Sequence, residues 1–417
     1  MALVVQKYGG TSVGSTERIH AVARRLVAAQ DRGDHVVAVV SAMGDLTDEL
    51  LELAHAVSDS PAEREMDMLL ATGEQVTIAL LAMAIHSLGR EAISLTGAQA
   101  GIVSDGSHTK ARIQAVQPER VMNALDEGRI VIVAGFQGLS EDGEITTLGR
   151  GGSDTTAVAV AAGLGADVCE IYTDVDGVYT ADPRIVPDAR VIAAISYEEM
   201  LEMAASGAHV LQLRSVEFAR NHGVTLHVRS SFHDATGTVV KEADETMEQA
   251  IISGVTQDVS EAKVTIRDVP DRPGVAADVF SRLAEEGVNV DMIIQNVSED
   301  GTADISFTTP KEDLGRARRA AGDVAARLGA RDWSVDESIA KVSLVGAGMK
   351  THPGIAAKMF RTLADAGVNL DMISTSSIRI SCVIAADQAD VAVRALHAGF
   401  GLDSGAVTAE VSPPAVG

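Results

Sequence analysis

The segment Thr-Thr-Leu-Gly-Arg-Gly-Gly-Ser-Asp-Thr-Thr, residues 146–156, places one arginine among glycines just before an apolar run. Glycine adopts positive φ angles and lets a ligand approach the backbone closely. The segment has three such positions, Gly149, Gly151 and Gly152. Arg150 between them offers a planar guanidinium that suits a carboxylate or a phosphate. The segment therefore predicts an anion-binding site.

The apolar run that follows, residues 157–164, predicts a helix. A helix that begins at the glycines would direct its first unpaired amides, and the positive end of its dipole, toward a bound anion. A tight turn capped by Ser153 or Asp154 is the alternative, because glycines punctuate many α/β proteins. Arg150 is a poor choice for a mere turn, and it favours the anion site.

The N-terminal segment repeats the order of strand, glycine loop and helix. An apolar run, residues 3–8, ends in Lys7 and Tyr8, and Gly9-Gly10-Thr11-Ser12-Val13-Gly14 follows it. Open α/β sheets bind ligands at the carboxyl ends of their strands, so Lys7 would lie beside closely approaching amides. The loop matches neither common phosphate fingerprint. A strand that ends in a surface lysine is the alternative.

Strand-like and helical runs alternate as far as residue 228. Strands are predicted at residues 3–8, 35–41, 91–95, 130–134, 168–173 and 225–228, and helices at 16–29, 46–57 and 66–88. Such alternation indicates a largely parallel sheet with helices on both faces. Glu74 lies either on the solvated edge of its helix or toward a ligand. Asp174 and Asp176 follow a strand, where turn residues are common.

Composition narrows the possible functions. A length of 417 residues predicts two or three domains. The net charge of -25 argues against nucleic acid or an anionic membrane as partner. The chain shows neither a long apolar run free of charge nor a signal-peptide pattern, so we expect a cytoplasmic protein. Cys169 and Cys382 lie in apolar settings and are expected to be reduced core residues.

A repeat follows a charged stretch, residues 235–248, that marks a domain boundary. Residues 273–293 align without gaps with residues 353–373, and 13 of the 21 positions are identical. A period of 80 residues is too long for a solenoid unit and indicates two small domains. Each copy predicts a strand, a Pro-Gly turn, a helix and a second strand.

Together these features closely resemble the aspartate kinase family over nearly the whole chain. The motifs are Lys7-Tyr8-Gly9-Gly10-Thr11-Ser12, Gly73-Glu74, residues 149–155, Thr173-Asp174-Val175-Asp176-Gly177-Val178-Tyr179 and the tandem repeat. The resemblance implies an α/β fold: an α/β/α sandwich, the amino-acid-kinase domain, then two ferredoxin-like ACT regulatory domains of βαββαβ type. The implied ranges are 1–245, 250–337 and 338–411, with a tail at 412–417.

The resemblance implies that the γ-phosphoryl group of ATP moves to the β-carboxylate of L-aspartate, the first step toward lysine, threonine and methionine. The side-chain carboxyl of aspartate has a reference pKa near 3.9, so the nucleophile is already ionised and no general base is needed. Catalysis of this kind depends on positioning and electrostatics. Mg²⁺ is expected to arrive with ATP, held by phosphate oxygens and water, with no metal site of the protein's own.

The resemblance also implies a role for each motif residue. The catalytic set is Lys7, Arg150 and Asp154. The ATP-binding set is Lys7, Tyr8, Gly9, Gly10, Ser41, Thr173, Asp174, Tyr179 and Arg184. The set that binds aspartate is Thr47, Glu74, Arg150, Gly151, Gly152 and Ser153. Arg150 would meet the α-carboxylate and Glu74 the α-ammonium, while Asp154 orients Lys7 or the metal-bound phosphates.

For the ACT modules the resemblance implies feedback by lysine, threonine or both. The effector-binding set is Asp271, Gly274, Val275, Ala276, Gln295, Asn369, Leu370 and Ser376. A Pro-Gly turn at a helix N-terminus offers free amides to an effector carboxylate. A plain ferredoxin-like pair that only dimerises the chain is the alternative. Relatives also make a shorter product from an internal start, for which Met247 is suitably placed.

Two positions depart from the pattern of the family. His209 stands where many relatives have lysine, so it would bind nucleotide weakly at neutral pH. Ser377 stands where glutamate is common, which weakens the case for lysine as effector. Two alternatives stay open: a kinase for glutamate, N-acetylglutamate or a nucleotide, and an amino-acid sensor with an inactive kinase domain, which His209 alone supports.

Overall fold

The computed structural model describes residues 2–243, 252–298, 300–350 and 352–403. The chain divides into two compact units. The first comprises Met1–Tyr179, Val191–Ala204 and His209–Met247, and the second comprises Thr180–Arg190, Ala205–Ala208 and Glu248–Gly417. The expected domain boundary at residues 245–250, the internal start at Met247 and the tail at 412–417 lie outside the described residues.

Two sheets form the framework of the first unit. Its strands are β1 (Leu3–Tyr8), β2 (His35–Val40), β3 (Ala92–Leu95), β4 (Ile102–Ser104), β5 (Ile113–Val116), β6 (Ile130–Ala134), β7 (Gln137–Ser140), β8 (Ile145–Thr147), β9 (Val168–Thr173), β10 (Ala194–Ser196), β11 (Leu226–Ser230) and β12 (Thr238–Lys241). The larger sheet has the order β10-β12-β11-β9-β1-β2-β6-β3, and the smaller has the order β5-β4-β7-β8. In the larger sheet only β11 and β12 pair antiparallel, which confirms the predicted parallel sheet.

Helices cover both faces of the larger sheet. The helices of the first unit are α1 (Thr16–Asp31), α2 (Leu46–Val57), α3 (Glu63–Ser87), α4 (Glu119–Asp126), α5 (Gly152–Leu164), α6 (Tyr197–Ala205) and α7 (Leu213–His222), and α1, α3, α4 and α5 contact strands of the sheet. Tyr8, Val36 and Val40 pack with α1 and α3 in one core cluster. Successive side chains of a strand point to opposite faces, so Lys7 points to the other face, where α5 packs on β1. The α/β/α sandwich is therefore confirmed.

The second unit holds two antiparallel four-stranded sheets. Its strands are β13 (Gly254–Asp258), β14 (Glu261–Pro270), β15 (Ile293–Val297), β16 (Thr302–Pro310), β17 (Asp332–Asp336), β18 (Ile339–Val345), β19 (Met372–Thr375) and β20 (Arg379–Ala385). Its helices are α8 (Val275–Glu285), α9 (Leu314–Leu328), α10 (Ile355–Asp365) and α11 (Ala389–Gly399). Short 3-10 helices lie at Lys311–Asp313, Ala347–Lys350 and Ala386–Gln388 in this unit, and another lies at Gly10–Val13 in the first unit. The sheet orders are β15-β16-β14-β17 and β13-β18-β20-β19.

The first repeat, β14 to β17 with α8 and α9, has the expected βαββαβ order. The second differs. Its fourth strand is β13, which pairs with β18 and precedes the whole first repeat in the chain. The second module is therefore not the contiguous range 338–411, because a strand from the range expected for the first module completes its sheet. The repeat alone could not reveal this, since β13 lies outside the duplicated residues.

Among the described residues, α3 is long and apolar enough, by length and composition alone, to cross a membrane. More than half of its apolar window is buried inside the protein. A core helix of a folded domain has the same composition, and α3 carries the buried acids Asp67 and Glu74. We therefore regard α3 as a core helix of the first unit.

Candidate active site

A pocket lies at the carboxyl ends of β1 and β2, beside the start of α5. Its lining residues are Lys7, Gly9, Gly10, Ser41, Thr47, Glu74, Phe136, Gly149, Arg150, Gly151, Gly152, Ser153, Asp154 and Gln212. The two glycine segments that the sequence singled out therefore meet in one place. Phe136 and Gln212 were missed, because neither belongs to a motif that sequence reasoning recognises.

An ion pair crosses the floor of this pocket. The Nζ atom of Lys7 lies 2.5 Å from Oδ1 of Asp154, and the two side chains are 13% and 10% exposed. Lys7 stands near the end of β1, and Asp154 lies in the first turn of α5. A Cβ atom on Gly9 would lie 3.4 Å from the same Nζ atom, so the glycine leaves the ammonium accessible from the loop. A fixed cation beside open backbone amides can hold phosphate oxygens.

Two of the three glycines in the second segment have the positive φ angles that the sequence predicts, whereas Gly152, the first residue of α5, does not. Gly149 and Gly151 have φ angles of 75° and 71°, and α5 begins directly after Gly151. No side chain caps this helix, so the alternative of a turn capped by Ser153 or Asp154 is wrong. A Cβ atom on Gly151 would lie 2.3 Å from Cγ of Gln212. The amide of Gly152 donates a hydrogen bond of 2.9 Å to the carbonyl of Gly149. The next amides of the first turn, those of Ser153 and Asp154, have no acceptor within the helix and can donate to an anion.

Glu74 supplies a buried acid to the same pocket. The residue is 2% exposed, and its Oε1 atom accepts a hydrogen bond of 3.1 Å from the amide of Ala42. Its Oε2 atom is buried without a hydrogen-bond partner among the described residues. Burial raises the pKa of Glu74 to about 7, although the Ala42 amide opposes the shift. An acid with one unsatisfied oxygen is suited to accept hydrogen bonds from an ammonium group.

Arg150 completes the pair of opposite charges. Its side chain is exposed at the pocket, and the described part of the chain gives its guanidinium no ion-pair partner. A ligand that carries both a carboxylate and an ammonium group could therefore contact Arg150 and Glu74 together. Neither side chain is neutralised by a neighbour within the described residues, in contrast to Lys7.

Five residues of the predicted ATP-binding set do not line this pocket. The ring of Tyr8 is fully buried and stacks on Tyr172 with centroids 4.8 Å apart, on the face of β1 opposite Lys7. The side chain of Tyr8 therefore does not belong to the ATP-binding set that the sequence predicted. Thr173 donates a hydrogen bond of 3.1 Å to Asp174 after β9. Tyr179 bridges to Val191 in the first unit.

The fifth residue, Arg184, lies in a segment of the second unit and forms an ion pair of 2.6 Å with Asp182. His209 is exposed in a turn, and Ser377 is exposed in the turn between β19 and β20. The described ranges contain no cluster of three His, Cys, Asp or Glu side chains that could hold a metal ion. Cys169 and Cys382 are free and buried.

The predicted effector residues are distributed over both modules of the second unit. Gly274 caps α8 with φ 100°, and Gly354 caps α10 with the same angle, so the repeated Pro-Gly turns share one geometry. Val275 is buried in the core of the first module, and Leu370 packs against the core of the second. Gln295 lies on edge strand β15 and Ser376 directly after edge strand β19. Asp271, Ala276 and Asn369 are exposed.

Comparison with known proteins accounts for both units. The family described as "Amino acid kinase family" matches residues 2–230, and the family described as "ACT domain" matches residues 264–327 and 342–400. The aspartokinase of Mycolicibacterium smegmatis is 58% identical over 407 residues, which cover 96% of this chain and 97% of that protein.

Solved structures agree with these matches. The aspartate kinase from Synechocystis is 48% identical, with a TM-score of 0.54 over 96% of this chain and 70% of that one. Aspartokinase III of E. coli, solved in complex with aspartate and ADP, gives a TM-score of 0.82 over 96% of this chain and 100% of that one. At 24% identity this second structure supports the fold alone.

Proposed function

This chain belongs to the aspartokinase family, and we propose that it transfers the γ-phosphoryl group of ATP to the β-carboxylate of L-aspartate, giving 4-phospho-L-aspartate. The 58% identity to an aspartokinase over nearly the full length of both chains supports the kinase reaction. The observation that carries the proposal is one pocket lined by the Lys7–Asp154 pair, by Arg150 and by Glu74. Two cations and two acids in this arrangement suit a polyphosphate on one side and a free α-amino acid on the other.

On the acceptor side, Arg150 binds the α-carboxylate and Glu74 accepts hydrogen bonds from the α-ammonium. Thr47 and Ser153 are neutral partners, and Gly151 and Gly152 contribute backbone. The β-carboxylate is ionised at neutral pH and needs no base. The protein must hold the β-carboxylate in line with an anionic phosphate although its own net charge is -25. Fixed cations and backbone amides in the pocket hold the two anions together by positioning and by electrostatic stabilisation.

On the nucleotide side, Lys7 and the amides of Gly9 and Gly10 hold the phosphates, and Ser41 adds a hydroxyl donor. Asp154 keeps the Lys7 ammonium in place through their ion pair. We assign the base and ribose to Thr173, Asp174, Tyr179 and Arg184 by family resemblance. A magnesium ion that arrives with ATP would be held mainly by phosphate oxygens and water, because Asp154 is already paired with Lys7. Such an ion would spread the charge of the transferring phosphoryl group.

We further propose that the chain is a cytoplasmic homo-oligomer joined through its ACT modules and inhibited by lysine, threonine or both, at the predicted effector set. This would place it at the first step toward lysine, threonine and methionine. The alternative, an amino-acid sensor with an inactive kinase domain, rests on His209 alone. The presence of Lys7, Glu74, Arg150 and Asp154 together at the pocket favours the enzyme.

Trapping of the acyl phosphate as hydroxamate tests this proposal. The full-length protein is incubated with ATP, Mg²⁺ and either aspartate or glutamate, and lysine and threonine are then added singly and together. We expect product with aspartate and inhibition by at least one effector condition. Absence of product with aspartate would refute the kinase reaction, and a rate indifferent to both effectors would refute the proposed regulation.

A further inference from the structure

Asp67 is a fully buried acid on α3, seven residues before Glu74, and it does not line the pocket. Three donors surround its carboxylate. The hydroxyl of Thr147 donates at 2.5 Å, and the amide of Thr109 donates at 3.0 Å. The Nδ1 atom of His108 lies 2.6 Å from the other oxygen and can donate a third hydrogen bond there. The acid therefore ties α3 to two separate chain segments.

The first of these segments leads directly to Arg150. Thr147 is the last residue of β8, and Leu148, Gly149 and Arg150 follow it. The hydrogen bond from Thr147 thus fixes the chain three residues before the guanidinium that is assigned to the substrate. A shift of β8 along its own direction would carry Arg150 with it.

The second segment packs against the first. Thr109 has a φ angle of 63°, which is unfavourable for a β-branched residue. Its carbonyl oxygen would lie 3.1 Å from a Cβ atom on Gly149, so the two backbones are in close contact. The amide of Ala111 donates a hydrogen bond of 2.9 Å to the carbonyl of Thr147. The bond from Asp67 to the Thr109 amide holds this strained turn against the glycine segment.

Arg214 grips the same two segments from α7. Its Nη1 atom donates at 2.8 Å to the carbonyl of Leu148, and its Nη2 atom donates at 2.8 Å to the carbonyl of Ala111. Asp67 and Arg214, which we call the clamp, therefore bind residues 109–111 and 147–148 from two directions. These hydrogen bonds join each clamp residue to the two segments and do not join the clamp residues to each other. Each clamp residue therefore holds the segments through its own bonds.

We infer that Asp67 is a positioning residue for the acceptor amino acid, which holds the segment carrying Arg150 in the geometry that binds the α-carboxylate. This inference rests on the proposed function of the pocket. A buried carboxylate is stable only when its hydrogen bonds are made, so this position is set by bonding rather than by packing alone. A misplacement of about 1 Å at a substrate-positioning group can cost about 100-fold in rate.

The first test is Asp67→Asn, which keeps the size of the side chain but turns one acceptor into a donor. We expect the KM for aspartate to rise at least tenfold, while the KM for ATP stays within twofold. The matched control is Thr77→Val on the same helix, whose buried hydroxyl donates a hydrogen bond to the carbonyl of Gly73 within α3. We expect that variant to leave both KM values unchanged.

A double-mutant cycle separates positioning from a general loss of structure. In an Arg150→Ala background, Asp67→Asn should raise the aspartate KM by less than twofold further, because its route of action is already removed. If Asp67→Asn does not fold, Thr147→Val removes one of the three bonds and gives a milder change. We expect several-fold weaker aspartate binding from it, again without an effect on ATP.

Three outcomes would overturn the inference: an unchanged aspartate KM in a folded variant, equal rises for ATP and aspartate, or independent effects in the cycle. If the wild-type protein made no phosphoaspartate, the proposed function would fail instead. Titration calorimetry of aspartate on the same variants would then decide the role of Asp67. Loss of affinity in Asp67→Asn but not in Thr77→Val supports it, and equal affinities refute it.

Discussion

Two lysines, one partly buried in the first unit and one fully buried in the second, differ in how completely their charge is satisfied. Lys7 has one carboxylate partner among the described residues, Asp154, and its side chain lines a pocket. Lys341 on β18 is fully buried, and its Nζ atom lies 2.5 Å from oxygens of both Glu261 and Asp291. The carbonyl of Ala205 lies 3.4 Å from the same atom.

The difference separates a lysine that can bind a ligand from one that holds structure. The three hydrogens of Lys341 have three acceptors, and they link β14, β18 and the chain before β15. Burial lowers the pKa of Lys341, but Glu261 and Asp291 more than offset this, so the pKa is raised. Lys7 has one carboxylate and keeps donors for phosphate oxygens. The two roles are distinguished by how many acceptors each ammonium group already has and by whether its side chain lines a pocket.

Replacement of Lys7 gives the largest expected effect and tests the ligand-binding half of this comparison. Loss of one preorganised group at a developing charge costs about 100- to 1000-fold in kcat, and we expect Lys7→Ala to reach at least the upper value. Hydroxamate formation measures the rate, and circular dichroism confirms the fold. Lys7→Arg keeps the charge and serves as the control. If Lys7→Ala retained most of its rate, the phosphates would be held elsewhere.

Replacement of Lys341 tests the structural half. Lys341→Met leaves the buried carboxylate of Glu261 and the more exposed carboxylate of Asp291 without their cation, which costs about 3 kcal/mol in the free energy of unfolding. Denaturant unfolding of the full chain measures this loss. Lys263→Met is the matched control, because Lys263 pairs with the more exposed Asp371 in the same unit. We expect less than about 1 kcal/mol there. Equal losses in the two variants would show that the burial of Lys341 has no special weight.

The sequence predicted much more of the fold than of these side-chain environments. Periodicity found the strands of the parallel sheet, since buried strands are continuous apolar runs, and β1, β6 and β9 have their predicted bounds. It could not assign β13 to the second module, because strand pairing between distant segments leaves no local pattern.

Within the site, the glycine motifs predicted which residues have a backbone that must lie close to a ligand. Lys341, Asp67 and Gln212 carried no such signal, because a buried polar group is recognised only by the partners that folding brings to it. Tyr8 shows the opposite limit. Its place in a motif beside Lys7 suggested a ligand contact, but the alternation of side chains along β1 sends its ring into the core.

Arg150 extends the comparison to a cation with no carboxylate partner among the described residues. A charged hydrogen bond contributes about 1.5–3 kcal/mol, so Arg150→Ala should raise the KM for aspartate about 10- to 100-fold. The KM for ATP should change little, because Lys7 holds the phosphates in our assignment. Arg150→Lys is the control for charge without the bidentate fork. A collapse of ATP affinity in Arg150→Ala would mean that the division of the pocket is wrong.

The same comparison extends to the buried acid Glu74, whose titration gives the smallest expected effect on the KM for aspartate. Burial raises its pKa to about 7, so the free protein has most of this carboxyl protonated at pH 6 and most of it ionised at pH 8. The α-ammonium of aspartate needs the ionised form, and binding must expel the proton below pH 7. A group one pH unit below its pKa is about nine-tenths protonated, so the KM for aspartate should fall about tenfold from pH 6 to pH 8. Steady-state rates across that range, with the ATP dependence measured in parallel, check this. Glu74→Gln should weaken aspartate binding and abolish its pH dependence. If the slope persisted in Glu74→Gln, another group would be titrating and the buried acid would not be the ammonium site.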